Sequence, residues 1–87
     1  MSRLTGKNKD GYYGLISDES IYEAIQKLGA LEDACDDLTN SQKQIPKELE
    51  ELRLQGKEKT VRYKETMTQK LINSNIIMFL ERYGLYR

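Results

Sequence analysis

Apolar residues recur at spacings of three and four from Ile21 to Leu38. Ile21, Ile25, Leu28, Leu31, Cys35 and Leu38 fall on one face of a helix. Tyr22, Ala24 and Ala34 widen that face, and Ser17 before it has the hydroxyl of an N-cap. Asp18 and Glu19 then fill a first turn that favours negative charge. This stretch commits the chain to a helical fold, and a helix over about 18–38 is expected. Gly29 lies within it and costs about 1 kcal/mol relative to alanine, which close approach of another backbone would offset. Asn40 and Ser41 are breaking residues, and Pro46 suits the first position of a second helix, over about 46–56. Ile45, Leu49 and Leu52 form its short stripe, and Gly56 ends or bends it. A third helix is expected over about 58–83, with Asn73-Ser74-Asn75 as a weak point and Gly84 as its C-terminal cap.

Upstream, Asn8-Lys9-Asp10-Gly11 is a strong turn signal. Leu4 and Tyr12 to Ile16 flank it either as a short hairpin or as an irregular arm. The organisation expected is an N-terminal arm over 1–16 and a helical domain over 17–87. The fold class is mainly α: a helical hairpin or small bundle with that arm, and oligomeric. Two features argue for association. At 87 residues a domain buries only about 60–65% of the surface its unfolded chain exposes. Moreover, Ile76-Ile77-Met78-Phe79-Leu80 is apolar nearly all round, which in so small a chain calls for burial against other copies. Charge is segregated in a way that suits this. Residues 18–52 carry ten acids and three bases, whereas residues 53–87 carry eight bases and three acids. The halves should attract, within one chain or between chains.

Composition narrows the chemistry. The chain has no histidine and a single cysteine, Cys35, which excludes Ser-His and Cys-His nucleophile pairs, zinc clusters and an intrachain disulfide. No P-loop is present. A binding protein rather than an enzyme is expected, without metal or cofactor, in a reducing cytoplasm. Met1 to Lys9 lacks the apolar core of a signal peptide, and no run approaches the roughly 20 apolar residues of a membrane span. Fourteen bases against fourteen acids argue against general nucleic-acid binding.

The most coherent candidate site is Gly11-Tyr12-Tyr13-Gly14-Leu15, followed by the capped helix start and by Lys27. Tyrosine rings stack on nucleobases, and helix N–H groups and a lysine hold phosphate. The competing reading packs one ring on the first helix as a staple-like contact and leaves the other exposed. Lys57, Lys59, Arg62, Lys64 and Lys70 form a basic series that either contacts phosphates or pairs with Glu58, Glu65 and the acidic middle. Cys35, on the apolar stripe, reads as a small buried hydrophobe.

The segment from Gly11 to Lys27 resembles the small phage-encoded sponge proteins that capture the cyclic nucleotides of CBASS and Thoeris immunity. The matching residues are Gly11, Tyr12, Leu15, Glu19, Ile21, Lys27 and Gly29. The run Ile77-Met78-Phe79-Leu80-Glu81-Arg82 is similar to the family's apolar C-terminal helix with its arginine. Tyr13 stands where the family has a basic residue, and Ser41 to Thr60 has no counterpart. The resemblance implies a helical protomer in a symmetric homo-oligomer, often a hexamer, in the cytoplasm of an infected bacterial host. A cyclic oligonucleotide or cyclic ADP-ribose-type ligand would bind between protomers and be held intact. Tyr12 would stack on a base and Lys27 would pair with phosphate. Gly11, Tyr12, Tyr13, Lys27, Lys70 and Arg82 are the candidate ligand-binding residues.

Two other functions fit the residues. One is an inhibitor that docks on a host defence nuclease, with Glu32, Asp33, Asp36 and Asp37 imitating phosphates. The other is a small phage nucleic-acid-binding accessory protein that uses Lys57 to Lys70.

Overall fold

The computed structural model describes residues 2–86 and is mainly helical. Its elements in chain order are β1 (Thr5–Lys7), β2 (Tyr13–Leu15), a 3₁₀ turn at Asp18–Ser20, α1 (Ile21–Leu54) and α2 (Val61–Arg82). The chain divides into two compact units inside α1, one running to Asp33 and the other starting at Ala34.

In the first unit the N-terminal segment is a hairpin and not an irregular arm. β1 and β2 pair antiparallel, with Thr5 opposite Leu15, Gly6 opposite Gly14 and Lys7 opposite Tyr13. The turn residues dictate this register. Asn8 Oδ1 accepts from the N–H groups of Asp10 and Tyr12, at 2.9 and 3.0 Å. Gly11 supplies the positive φ, +84°, that a three-residue hairpin loop needs at its last position. Ser17 caps the helix start as expected, its Oγ accepting from the Glu19 N–H at 3.3 Å. The apolar face that begins at Ile21 is only partly covered. Ile21, Ile25 and Leu28 are exposed, whereas Leu31, and in the second unit Cys35 and Leu38, are half-buried.

The second unit is a helical hairpin. Ser41 and Gln42 of α1 meet Asn73 and Ser74 of α2, while Glu48 and Arg53 meet Arg62 and Tyr63, so the helices run antiparallel. The separate helices expected over 18–38 and 46–56 are one helix. α1 passes through Asn40, Ser41 and Pro46, and α2 passes through Asn73-Ser74-Asn75. Tertiary contacts account for both corrections. Polar side chains break helices by competing for local backbone groups, but here Ser41, Asn73 and Ser74 are engaged by other side chains, two of the bonds crossing the hairpin and one running within α2. Asn73 Nδ2 donates to Ser41 Oγ at 2.9 Å, Gln69 Nε2 donates to Asn73 Oδ1 at 2.7 Å, and Gln42 Nε2 donates to Ser74 Oγ at 3.2 Å. Pro46 has no N–H for the Gln42 carbonyl. It is nevertheless held in helical register by the packing of Ile45 and Leu49, each 5% exposed.

Gly56 ends α1 in a Schellman motif. Its φ is +70°, its N–H reaches Arg53 O at 3.0 Å, and Lys57 N–H reaches Leu52 O at 2.8 Å. Thr60 then caps α2, its Oγ1 accepting from the Tyr63 N–H at 3.3 Å, so the helix starts at Val61 rather than near Glu58. Gly84 repeats the Schellman arrangement at the far end, with Leu85 N–H on Leu80 O at 3.0 Å. The tail folds back onto α1 within this unit. Cys35 Sγ donates to Leu85 O at 3.5 Å, and Thr39 Oγ1 and Tyr86 Oη lie 2.6 Å apart.

The interior is thin. Among the described residues the buried apolar side chains are Ile45 and Leu49, and the buried polar ones are Thr66 and Asn73. Two of these four side chains therefore bring hydrogen-bonding groups into the interior. No described helix is long and apolar enough to cross a membrane.

Candidate functional site

The first unit holds four of the candidate residues. Gly11 closes the hairpin turn, and Tyr12 and Tyr13 follow where that turn passes into β2. The two residues are 72% and 63% exposed, which does not fit the reading in which one ring packs on the first helix as a staple-like contact. The backbone beneath them is fixed. Asn8 N–H donates to Tyr12 O at 2.8 Å, and Gly11 N–H donates to Asn8 O at 3.1 Å. A ring carried on so restrained a backbone loses less freedom when a base stacks on it.

Lys7 was not among the residues selected from sequence, yet it is a cation set against the Tyr13 ring. Its Nζ lies 5.3 Å from the centroid of the Tyr13 ring, within cation–π range. The signal lay in the turn: once the loop is Lys9-Asp10-Gly11, antiparallel pairing puts Lys7 directly opposite Tyr13. Lys27 has a different partner. Its Nζ is 3.7 Å from Glu23 Oε1 in an exposed pair one helical turn apart. Such a pair is worth about 0.3–0.5 kcal/mol, so a phosphate could displace Glu23 at little cost. No hydrogen bond or cation–π contact joins Lys27 to Tyr12 or Tyr13 among the described residues.

The helix start itself is poorly suited to anions. Ser17 already occupies the Glu19 N–H, and Asp18, Glu19 and Glu23 crowd the first turns with negative charge. Positive charge in this unit falls to lysines such as Lys7 and Lys27.

Lys70 and Arg82 lie on α2, in the second unit. Lys70 is exposed, and the Arg82 guanidinium stands 5.8 Å from the Phe79 ring centroid. Of the basic series, Arg62 pairs with Glu48 of the acidic middle. Arg53 is held by Glu50 at 3.2 Å and by the Tyr63 hydroxyl at 3.3 Å. The hydrogen bond to Tyr63 is the main cause that raises the Arg53 pKa above its ordinary value. A cavity of about 290 Å³ opens between the two helices of this unit, bordered by Ser41, Glu48, Arg62 and Gln69. Its one arginine is already neutralised by Glu48, so it offers an anion little. No group of three His, Cys, Asp or Glu side chains converges on a possible metal position among the described residues.

No protein-family model, curated protein or solved structure matches this chain.

Proposed function

We propose that this protein binds and sequesters a cyclic nucleotide signal, a cyclic oligonucleotide or a cyclic ADP-ribose-type molecule, without cleaving it. In this reading it is a phage-encoded anti-defence protein that acts as a homo-oligomer in the cytoplasm of an infected bacterial host. The observation that carries the reading is the pair of exposed rings, Tyr12 and Tyr13, on a hairpin turn locked by Asn8, with Lys7 at the Tyr13 ring. Stacking of a base on such a ring is worth about 1–3 kcal/mol. Lys7 and Lys27 supply positive charge for phosphate. With no histidine in the chain, retention of an intact ligand suits these residues better than hydrolysis.

The test is native mass spectrometry and thermal melting of the full chain with cyclic dinucleotides, cyclic trinucleotides and cyclic ADP-ribose isomers. An intact nucleotide adduct and a raised Tm are expected. Tyr12→Ala should weaken binding by about tenfold or more, the loss of one stacked base. Lys27→Ala should weaken it less. Absence of any adduct or Tm shift across the panel refutes the proposal.

A further inference from the structure

The two faces of the N-terminal hairpin differ. Asn8 N–H on Tyr12 O at 2.8 Å and Ile16 N–H on Leu4 O at 2.9 Å extend the β1–β2 pairing at both ends. Side chains alternate along a strand, so Thr5, Lys7, Tyr13 and Leu15 share one face. Leu4, Gly6, Tyr12, Gly14 and Ile16 share the other, and in its middle a glycine stands opposite a glycine. Neither Gly6 nor Gly14 has the positive φ that would call for glycine. Glycine weakens a strand, and where no backbone bend requires it, it marks a place that something approaches closely.

The two glycines differ in what stands over them. A β-carbon on Gly6 would lie 3.9 Å from Ile16 Cγ1, so the Ile16 side chain leans across the pair and covers that glycine. A β-carbon on Gly14 would meet no described atom within 4 Å. Gly14 is therefore the floor of an open notch. Its walls are Tyr12 and Ile16, two residues to either side and each about 7 Å away along the strand. Both walls are exposed, and neither carries a charge. An uncharged, flat ring suits such a notch and a phosphate does not.

We propose that this notch is the base-binding subsite. A nucleobase lies against the Gly14 backbone, stacked on the Tyr12 ring, with Ile16 as the far wall. Stacked rings stand about 4.5–7 Å apart between centroids, which matches the step from Tyr12 to Gly14. A side chain at position 14 would occupy the place of the base. Tyr13 and Lys7 lie on the opposite face and do not touch this base. The inference rests on the sequestration reading and adds to it the residue that admits the base, Gly14.

The test uses the full chain, with cyclic dinucleotides, cyclic trinucleotides and cyclic ADP-ribose isomers as probes in titrations followed by native mass spectrometry. Gly14→Val should weaken binding about tenfold or more, the loss of one stacked base. Valine is favoured in strands and position 14 has room for it, so the hairpin should persist. Hydrogen-exchange protection of the Asn8 and Ile16 amides, both bonded across the hairpin, reads that directly. Gly6→Ala, whose β-carbon lies beneath Ile16, should bind within about twofold of the parent. In the parent complex, nuclear Overhauser effects should join base protons to the Gly14 α-protons, and these decide the matter if valine disturbs the hairpin. A complex without them, or a Gly14→Val protein that keeps its hairpin and binds as tightly as the parent, overturns the notch and leaves sequestration standing. Binding of no probe by the parent overturns both.

Discussion

Replacing Pro46 by alanine should make this protein more stable. Pro46 lies in the interior of α1, exposed, one residue after buried Ile45. Proline in a helix interior costs about 3 kcal/mol relative to alanine, through the missing N–H and the clash with the carbonyl four residues back. It returns about 0.4–1 kcal/mol by restricting the unfolded chain. The difference predicts a gain of about 2 kcal/mol for Pro46→Ala. In a domain of this size that corresponds to a Tm higher by about 10 °C. Pro46→Gly restores the same N–H but forfeits about 1 kcal/mol of helix propensity, so its gain should be half as large or less. Melting followed by circular dichroism at 222 nm, at one fixed protein concentration, reads both variants. The concentration must be held because association itself raises Tm. If Pro46 instead began a helix, it would sit where proline is favoured, and alanine would cost about 0.4–1 kcal/mol. A Tm that falls or stays constant in Pro46→Ala therefore refutes the continuous helix.

Two further substitutions probe the second unit. Gly56→Ala forces a β-carbon into a left-handed position, φ +70°, and should destabilise by about 1–2 kcal/mol, read as a lower midpoint in urea. Asn73→Ala removes the bonds to Ser41 and Gln69 from a side chain that is 3% exposed. It should cost about 2 kcal/mol in the same assay.

Local rules in the sequence reached far at the ends of elements. Asn8 to Gly11 specifies the hairpin turn, Ser17 the helix cap, and Gly56 and Gly84 the helix stops. Each works through backbone conformations and hydrogen bonds within a few residues, so the sequence reports them directly. The turn also sets Lys7 opposite Tyr13, a consequence legible in the sequence but drawn only from the register. The interiors of the helices were decided elsewhere. Asn40-Ser41 and Asn73-Ser74-Asn75 carry breaking side chains, yet both stretches stay helical where Asn73 donates to Ser41 and Gln42 donates to Ser74 across the hairpin. A local rule cannot see a partner 32 residues away. Exposure of Tyr12 and Tyr13 belongs to the same class, since whether a ring is covered depends on what packs over it. The sequence alone determined where the chain turns, starts and stops. The tertiary structure decided which polar residues lie inside a helix and which apolar faces remain open, because burial and hydrogen bonding between distant segments outweigh propensities of about 1 kcal/mol or less per residue.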